Sequence, residues 1–103
     1  MQQPHIPKFE IGQVFKHRRY AYRGVIVGID LKCAADDAWY QSNATQPRRD
    51  QPWYNVLDED GRERYVAEEN MAPDRSGEAL DNPLITSLFP TFVNGRYYRQ
   101  GRN

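Results

Sequence analysis

The sequence predicts a small, mainly β domain: about five short antiparallel strands closed into a small barrel, with one short helix near the C-terminus. Three observations carry this. Gly24 to Leu31 is a nearly unbroken apolar run rich in β-branched side chains, as in a strand covered on both faces. Trp53–Leu57 and Arg64–Ala67 flank Asp60-Gly61, a tight hairpin signal. A chain of 103 residues suits one domain with one modest core, and closing its sheet removes edges that would otherwise stay unpaired. A small open sheet with the helix over one face fits the same pattern and is the alternative.

In chain order, residues 1–8 hold prolines and little to bury, so they read as a flexible tail. The domain is expected over 9–99, with a second tail at 100–103. Phe9, Ile11 and Val14 alternate as in a half-buried strand, placed at Ile11 to Lys16. Gly12 interrupts it and marks a bulge or a close backbone approach. Residues 17–23 turn the chain into the strand Gly24 to Leu31. Residues 34–51 form a long polar connection, with one helical turn around Trp39 and a mobile remainder. A connection this long in a small domain is functional or disordered.

The hairpin follows, and Glu68 to Asn70 then leaves the sheet by a tight turn that docks Met71. Asn82-Pro83 reads as an N-cap followed by proline at the first helical position. Leu84, Ile85, Leu88 and Phe89 follow at helical spacing, and Pro90 stops the helix. Asn94-Gly95 marks a second hairpin turn, between Phe92-Val93 and Tyr97-Tyr98.

Lys plus Arg and Asp plus Glu each number 14, so the formal net charge is zero. The charges are unevenly spread. Lys8 to Asp50 carries eight basic against five acidic residues; Asp58 to Asp81 carries three against nine. A polyanion would need a local basic face, because the whole-molecule field gives no general attraction. The one cysteine, Cys33, forms no intrachain disulfide and suits a small buried hydrophobe in a reducing compartment. No signal peptide and no membrane-length apolar run is visible, so a soluble cytoplasmic protein is expected.

No nucleophile–base pair, metal-ligand spacing or phosphate loop stands out, so the chain reads as a binder with no enzymatic activity, cofactor or metal. The block Lys16, His17, Arg18, Arg19, Tyr20, Tyr22 and Arg23 is its densest run of cations and π-faces. Lys16, His17, Arg18, Arg19, Tyr20 and Arg23 are the DNA-binding candidates: arginines can grip phosphates bidentately and a tyrosine can stack on a base. The competing reading is a solvated turn whose cations pair with the acidic hairpin while Tyr22 packs inward. His17 also suits a structural hydrogen bond at the strand end. Trp39, Trp53 and Tyr54 are partner-binding candidates, since aromatic residues dominate interface hot spots. For Trp53, in a strand block beside Pro52, the core is the favoured reading; for Trp39 the two readings are even. Glu68 joins them as a carboxylate at a strand end, able to accept backbone N–H bonds or pair with a corner arginine. Asp58, Glu59, Asp60, Glu68 and Glu69 read together as a solvated acidic face rather than a divalent-ion site.

The order of these features resembles a known family. Phe9-x-x-Gly12, His17-x-x-x-x-Tyr22-x-Gly24-Val25-Ile26-x-Gly28-x-Asp30 and Trp39 open like the hemimethylated-DNA-binding, YccV-like domain. Gln51-Pro52-Trp53-Tyr54-x-Val56-Leu57 and Tyr65-Val66-Ala67-Glu68-Glu69-Asn70-Met71 are similar to its second and third blocks, and Phe89, Phe92, Gly95 and Tyr97 to its closing segment. The resemblance runs from Phe9 to Tyr98. It implies a small SH3-like barrel that binds without doing chemistry. The family includes HspQ, linked to hemimethylated origin DNA and to the Lon protease, and domains attached to F-box proteins and to a Clp-protease adaptor. The implied partners are therefore an ATP-dependent protease or its clients, with DNA as the alternative. Monomer and small homo-oligomer both stay open.

Overall fold

The computed structural model describes residues 6–99. Of the tails expected at 1–8 and 100–103, residues 1–5 and 100–103 lie outside the described residues. Within them the order is β1 (Val14–His17), β2 (Arg23–Asp30), α1 (Asp37–Ser42), β3 (Trp53–Asp58), β4 (Glu63–Ala67), a 3₁₀ turn (Glu68–Asn70), β5 (Met71–Pro73), α2 (Pro83–Leu88), β6 (Thr91–Val93) and β7 (Arg96–Tyr98).

The strands β1 to β5 form one antiparallel sheet in the order β4-β3-β2-β1-β5, and β6 and β7 form a separate two-stranded hairpin. No ladder joins β4 to β5 among the described residues, so the sheet is a curved, open one. Its bend is helped by a register shift between Ile26 and Gly28 in β2, since an unpaired residue sharpens local twist.

Both faces are covered. Phe9, Phe15, Ile26, Tyr54, Val56, Val66 and Met71 pack on the concave side. On the other side Val14, Val25 and Leu57 meet Leu80, Ile85, Phe89 and Tyr97 from the C-terminal segment. Further along that face Cys33, Trp53 and Ala67 pack with Tyr40 and Tyr65. This double cover is why β2 and β3 read as near-continuous apolar runs.

Three turn signals fold as the sequence predicts. Gly61 sits at φ 81° in the β3–β4 hairpin. Asn94 and Gly95, at φ 53° and 80°, join β6 to β7. The Asn82 side chain accepts from Leu84 N at 2.9 Å and caps α2, with Pro83 in its first turn. Only Ile85 within the helix is buried, together with Phe89 one turn on, while Leu84 and Leu88 face solvent.

Three elements differ from expectation. The first strand starts at Val14, because Gly12 turns at φ 92° against the Tyr97 carbonyl, where a Cβ would meet that oxygen at 2.0 Å. Met71–Pro73 is a strand, β5, held by pairing with β1. The connection before β3 is tethered rather than loose: Tyr40 Oη donates to Pro47 O, Trp53 Nε1 to Arg48 O, and Arg49 reaches Asp37 and the Ala35 carbonyl.

Candidate binding surface

The corner between β1 and β2 is built around His17. Its Nδ1 accepts from Arg19 N and Tyr20 N, both at 3.1 Å, and its N–H donates to Tyr22 O at 2.8 Å. The ring is buried, stacked on Tyr20 at 4.8 Å and tilted against Tyr22 at 5.0 Å. Burial, then the charges of Arg64 and Arg19, hold its imidazole below its ordinary value of 6.5. His17 therefore caps the turn, with the ring of this DNA-binding candidate buried rather than presented to solvent. Ala21 closes the corner at φ 64°, a conformation unfavourable for a side chain with a Cβ.

The six DNA candidates do not form one patch. Arg23 Nη2 pairs with Asp74 Oδ2 at 3.0 Å and also donates to the Glu78 carbonyl. Burial pushes the Asp74 carboxyl up, but Ser76 and Arg23 outweigh it and hold it below the usual carboxylate range. Arg23 is thus neutralised and turned away. Lys16, Arg18 and Arg19 remain exposed with no acidic partner among the described residues. Tyr20 is 59% exposed and continues the His17 stack outward.

Among the partner candidates, the structure places Tyr54, Trp53 and Glu68 in the interior. Tyr54 Oη donates to Glu68 Oε2 at 2.5 Å and Lys8 N donates to the same oxygen at 2.8 Å, so Glu68 fastens the incoming chain to the core. Burial and the Glu68 bond push the Tyr54 hydroxyl up. Trp39 alone stays on the surface, at 36% exposure, with its ring edge-on to Tyr65 at 5.6 Å and Trp53 at 6.1 Å. Asp36 accepts from Trp39 N at 2.9 Å and starts the helix that carries it.

Trp39 and the corner form opposite ends of one cleft of about 430 Å³. Its lining includes Arg19 and Tyr20 from the corner, Trp39, Thr45 and Pro47 from the connection, and Asn70 from the 3₁₀ turn. Every residue of β4, from Glu63 to Ala67, lines it as well. Tyr65 Oη donates to Asp30 Oδ2 at 2.6 Å and accepts from Ala34 N, which anchors the connection beside β4. Arg64 is held by Asp58 at 2.7 Å and lies 4.7 Å over the Tyr22 ring. Burial pushes the Tyr22 hydroxyl up to about 12. The acidic hairpin is therefore no solvated face throughout: Asp58 is buried and accepts from Asp60 N, Arg62 N and Arg64 Nε.

Sequence reasoning missed Arg64, Tyr65 and Asn70 as cleft residues. The available signal was an arginine–tyrosine pair on the returning strand of the hairpin, which invites contact on both of its faces. Among the described residues no three His, Cys, Asp or Glu side chains converge as a metal site, and no helix is long and apolar enough to cross a membrane.

Comparison with known proteins agrees with the resemblance. The family described as "Hemimethylated DNA-binding protein YccV like" matches residues 7–96. F-box only protein 21 of Mus musculus is 35% identical over 92 residues, covering 86% of this chain and 15% of that protein. F-box only protein 21 of Homo sapiens is 34% identical over the same length and shares. The chain thus spans 15% of the length of these relatives. With most of its length matched in this way, the chain belongs to the YccV-like hemimethylated-DNA-binding domain family.

Proposed function

We propose that this chain is a non-catalytic binding module that receives a protein partner in the cleft between Trp39 and the β1–β2 corner. The observation that carries this is the exposed Trp39 set against Trp53 and Tyr65 at the mouth of a walled cleft. Interface anchors are typically aromatic side chains in such settings. The finer reading is an adaptor that presents clients to an ATP-dependent protease, which rests on the family resemblance. An SH3-like barrel is the fold reading that goes with it, and it too rests on the family resemblance, since the five strands pair as an open sheet.

The test is turnover of a client by a reconstituted ATP-dependent protease with and without this protein. A rate that changes on addition, and reverts with Trp39→Ala, supports the adaptor reading. A rate that never changes removes it.

DNA binding is the second reading, favoured by the unpaired Lys16, Arg18 and Arg19 and by the family's description. Three phosphate contacts give a slope of log K against log salt of about −3 on duplex DNA. Band-shift titrations on hemimethylated, fully methylated and unmethylated duplexes separate methyl recognition from charge attraction. Equal, weak affinity for all three removes the specific claim.

A further inference from the structure

The two edges of the five-strand sheet are not alike. In β5 the backbone groups of Ala72 face β1, as shown by the flanking bonds Arg18 N to Asn70 O and Asp74 N to Val14 O. That leaves Met71 and Pro73 pointing outward. Met71 N–H is already given to the Glu68 carbonyl, and Pro73 has no N–H. The β5 edge therefore offers no free donor, a common guard against strand addition.

The β4 edge is different. Asp58 N bonds Arg62 O and Glu68 N bonds Pro52 O, so the even-numbered residues of this stretch face β3. The N–H and C=O groups of Glu63, Tyr65 and Ala67 then point away from the sheet, as antiparallel alternation requires. None of them has a partner among the described residues. Ala67 is itself buried against Cys33 and Trp53, so the edge is open at Glu63 and Tyr65. The β3–β4 register is unbroken, with no bulge and no proline to spoil the edge. The cleft is lined by each residue of β4 in turn, as a cleft along the strand's edge would be.

We propose that β4 is a strand-addition site, and that its occupant is an extended, acidic peptide segment of a partner protein. This rests on the protein-binding reading and specifies its geometry. A strand of about three residues, rising about 3.3 Å each, matches the open stretch from Glu63 to Tyr65. Alternate side chains would meet the Trp39–Tyr65 aromatic wall. The acidic preference follows from Arg19, which lines the cleft without a carboxylate partner, and from its neighbour Arg18.

The experiment selects binders from a random nine-residue peptide library on the full chain, then follows the best peptide by NMR. The selected sequences are expected to carry acidic residues and to bind at least fivefold more weakly to Arg19→Glu. Bound peptide should slow amide exchange at Glu63 and Tyr65 at least tenfold. N-methylation of the peptide nitrogens that face β4 should weaken binding at least tenfold more than methylation of the intervening ones, a test that leaves the protein untouched. Glu63→Gln, which removes a like charge, should tighten binding about twofold. Glu63→Pro removes the same charge and also an outward N–H, and should bind at least tenfold more weakly than Glu63→Gln.

Peptides that need Trp39 but leave the Glu63 and Tyr65 amides unprotected overturn strand addition while the protein-binding reading survives. Recovery of no peptide, or of basic peptides only, overturns the proposal. Duplex DNA that perturbs the cleft when no peptide does overturns the protein-binding reading as well.

Discussion

Tyr54 Oη lies 2.5 Å from Glu68 Oε2, and neither side chain reaches solvent. The contact joins β3 to the start of the 3₁₀ turn that leads into β5. Lys8 N on the same carboxylate and Phe9 N on Tyr54 Oη, at 3.4 Å, extend it to the segment entering β1. One buried polar pair thus holds the entering segment and the two limbs of the sheet beside the open edge.

Tyr54→Phe removes the hydroxyl and keeps the ring. The Glu68 carboxylate loses the Tyr54 donor and Phe9 N loses its acceptor. A hydrogen bond to a buried charged group contributes about 1.5–3 kcal/mol, so the variant should be about 2 kcal/mol less stable. Urea unfolding with an unchanged m-value measures it. A midpoint equal to wild type would show that Glu68 does not need this donor.

His17 sets a pH dependence. Its folded value lies below 6.5, so the unfolded chain takes up the proton first as pH falls. Stability is full above about pH 6.5 and declines as pH drops through the lower folded value. His17→Asn keeps an acceptor for the turn N–H groups and cannot titrate. The difference in urea midpoint between wild type and His17→Asn should therefore narrow or reverse from pH 7.5 to pH 5.5. A difference that stays constant would mean His17 is not held neutral.

Ala21 occupies the left-handed region at φ 64° with its side chain exposed. A non-glycine residue there costs about 1–2 kcal/mol, while glycine adds unfolded-state entropy of about 0.4–1 kcal/mol. Ala21→Gly should be stabilising by about 0.5–1 kcal/mol. Thermal melts read this as a rise in Tm of a few degrees. The cap by His17 supplies what keeps alanine in place at present.

Much of the fold was legible because its punctuation is local. Asp60-Gly61, Asn82-Pro83 and Asn94-Gly95 each specify a turn or cap from adjacent residues, and each forms. β5 was not legible: three residues ending in proline show no periodicity, and they become a strand only by pairing with β1. The site was legible in part. The corner reads as one basic block, but Arg23 is removed from it by Asp74, 51 residues away. Tyr54 reads as a surface anchor and Trp53 as core more than anchor, yet both are buried, because adjacent strand residues face opposite sides of the sheet and here both sides are covered. Which strand ends up on an edge depends on the order of all five, and no local pattern encodes that.

Gly12 is the position where sequence and structure agree most sharply. Tyr97 N donates to Gly12 O at 2.8 Å, and a Cβ on Gly12 would meet the Tyr97 carbonyl carbon at 3.0 Å and its oxygen at 2.0 Å. Both the positive φ and the clash oppose any side chain. Gly12→Ala should lose on the order of 3 kcal/mol. Because the contact joins β1 to β7, the loss should also appear as faster amide exchange across β6 and β7. A variant with wild-type stability would place the two backbones further apart.

Asp58 gathers the hairpin by accepting from two backbone N–H groups and from Arg64. Burial pushes its carboxyl up, but the bonds from Arg64, Arg62 N and Asp60 N prevail, and the group stays ionised to a lower pH than a free aspartate. Its contribution is therefore present above the unfolded value of 3.8 and is lost as pH falls through the folded one. Asp58→Ala strands the partly covered Arg64 guanidinium over Tyr22 and leaves two turn donors unmatched. The expected cost is about 3 kcal/mol at neutral pH. Below the folded value of Asp58 the wild type has lost the same interaction, so the two urea midpoints should converge there. Arg64 released from Asp58 would also place a further free cation beside the β4 edge. A variant mild enough to fold, Asp58→Asn, should therefore bind an acidic peptide at least as well as wild type while unfolding at lower urea.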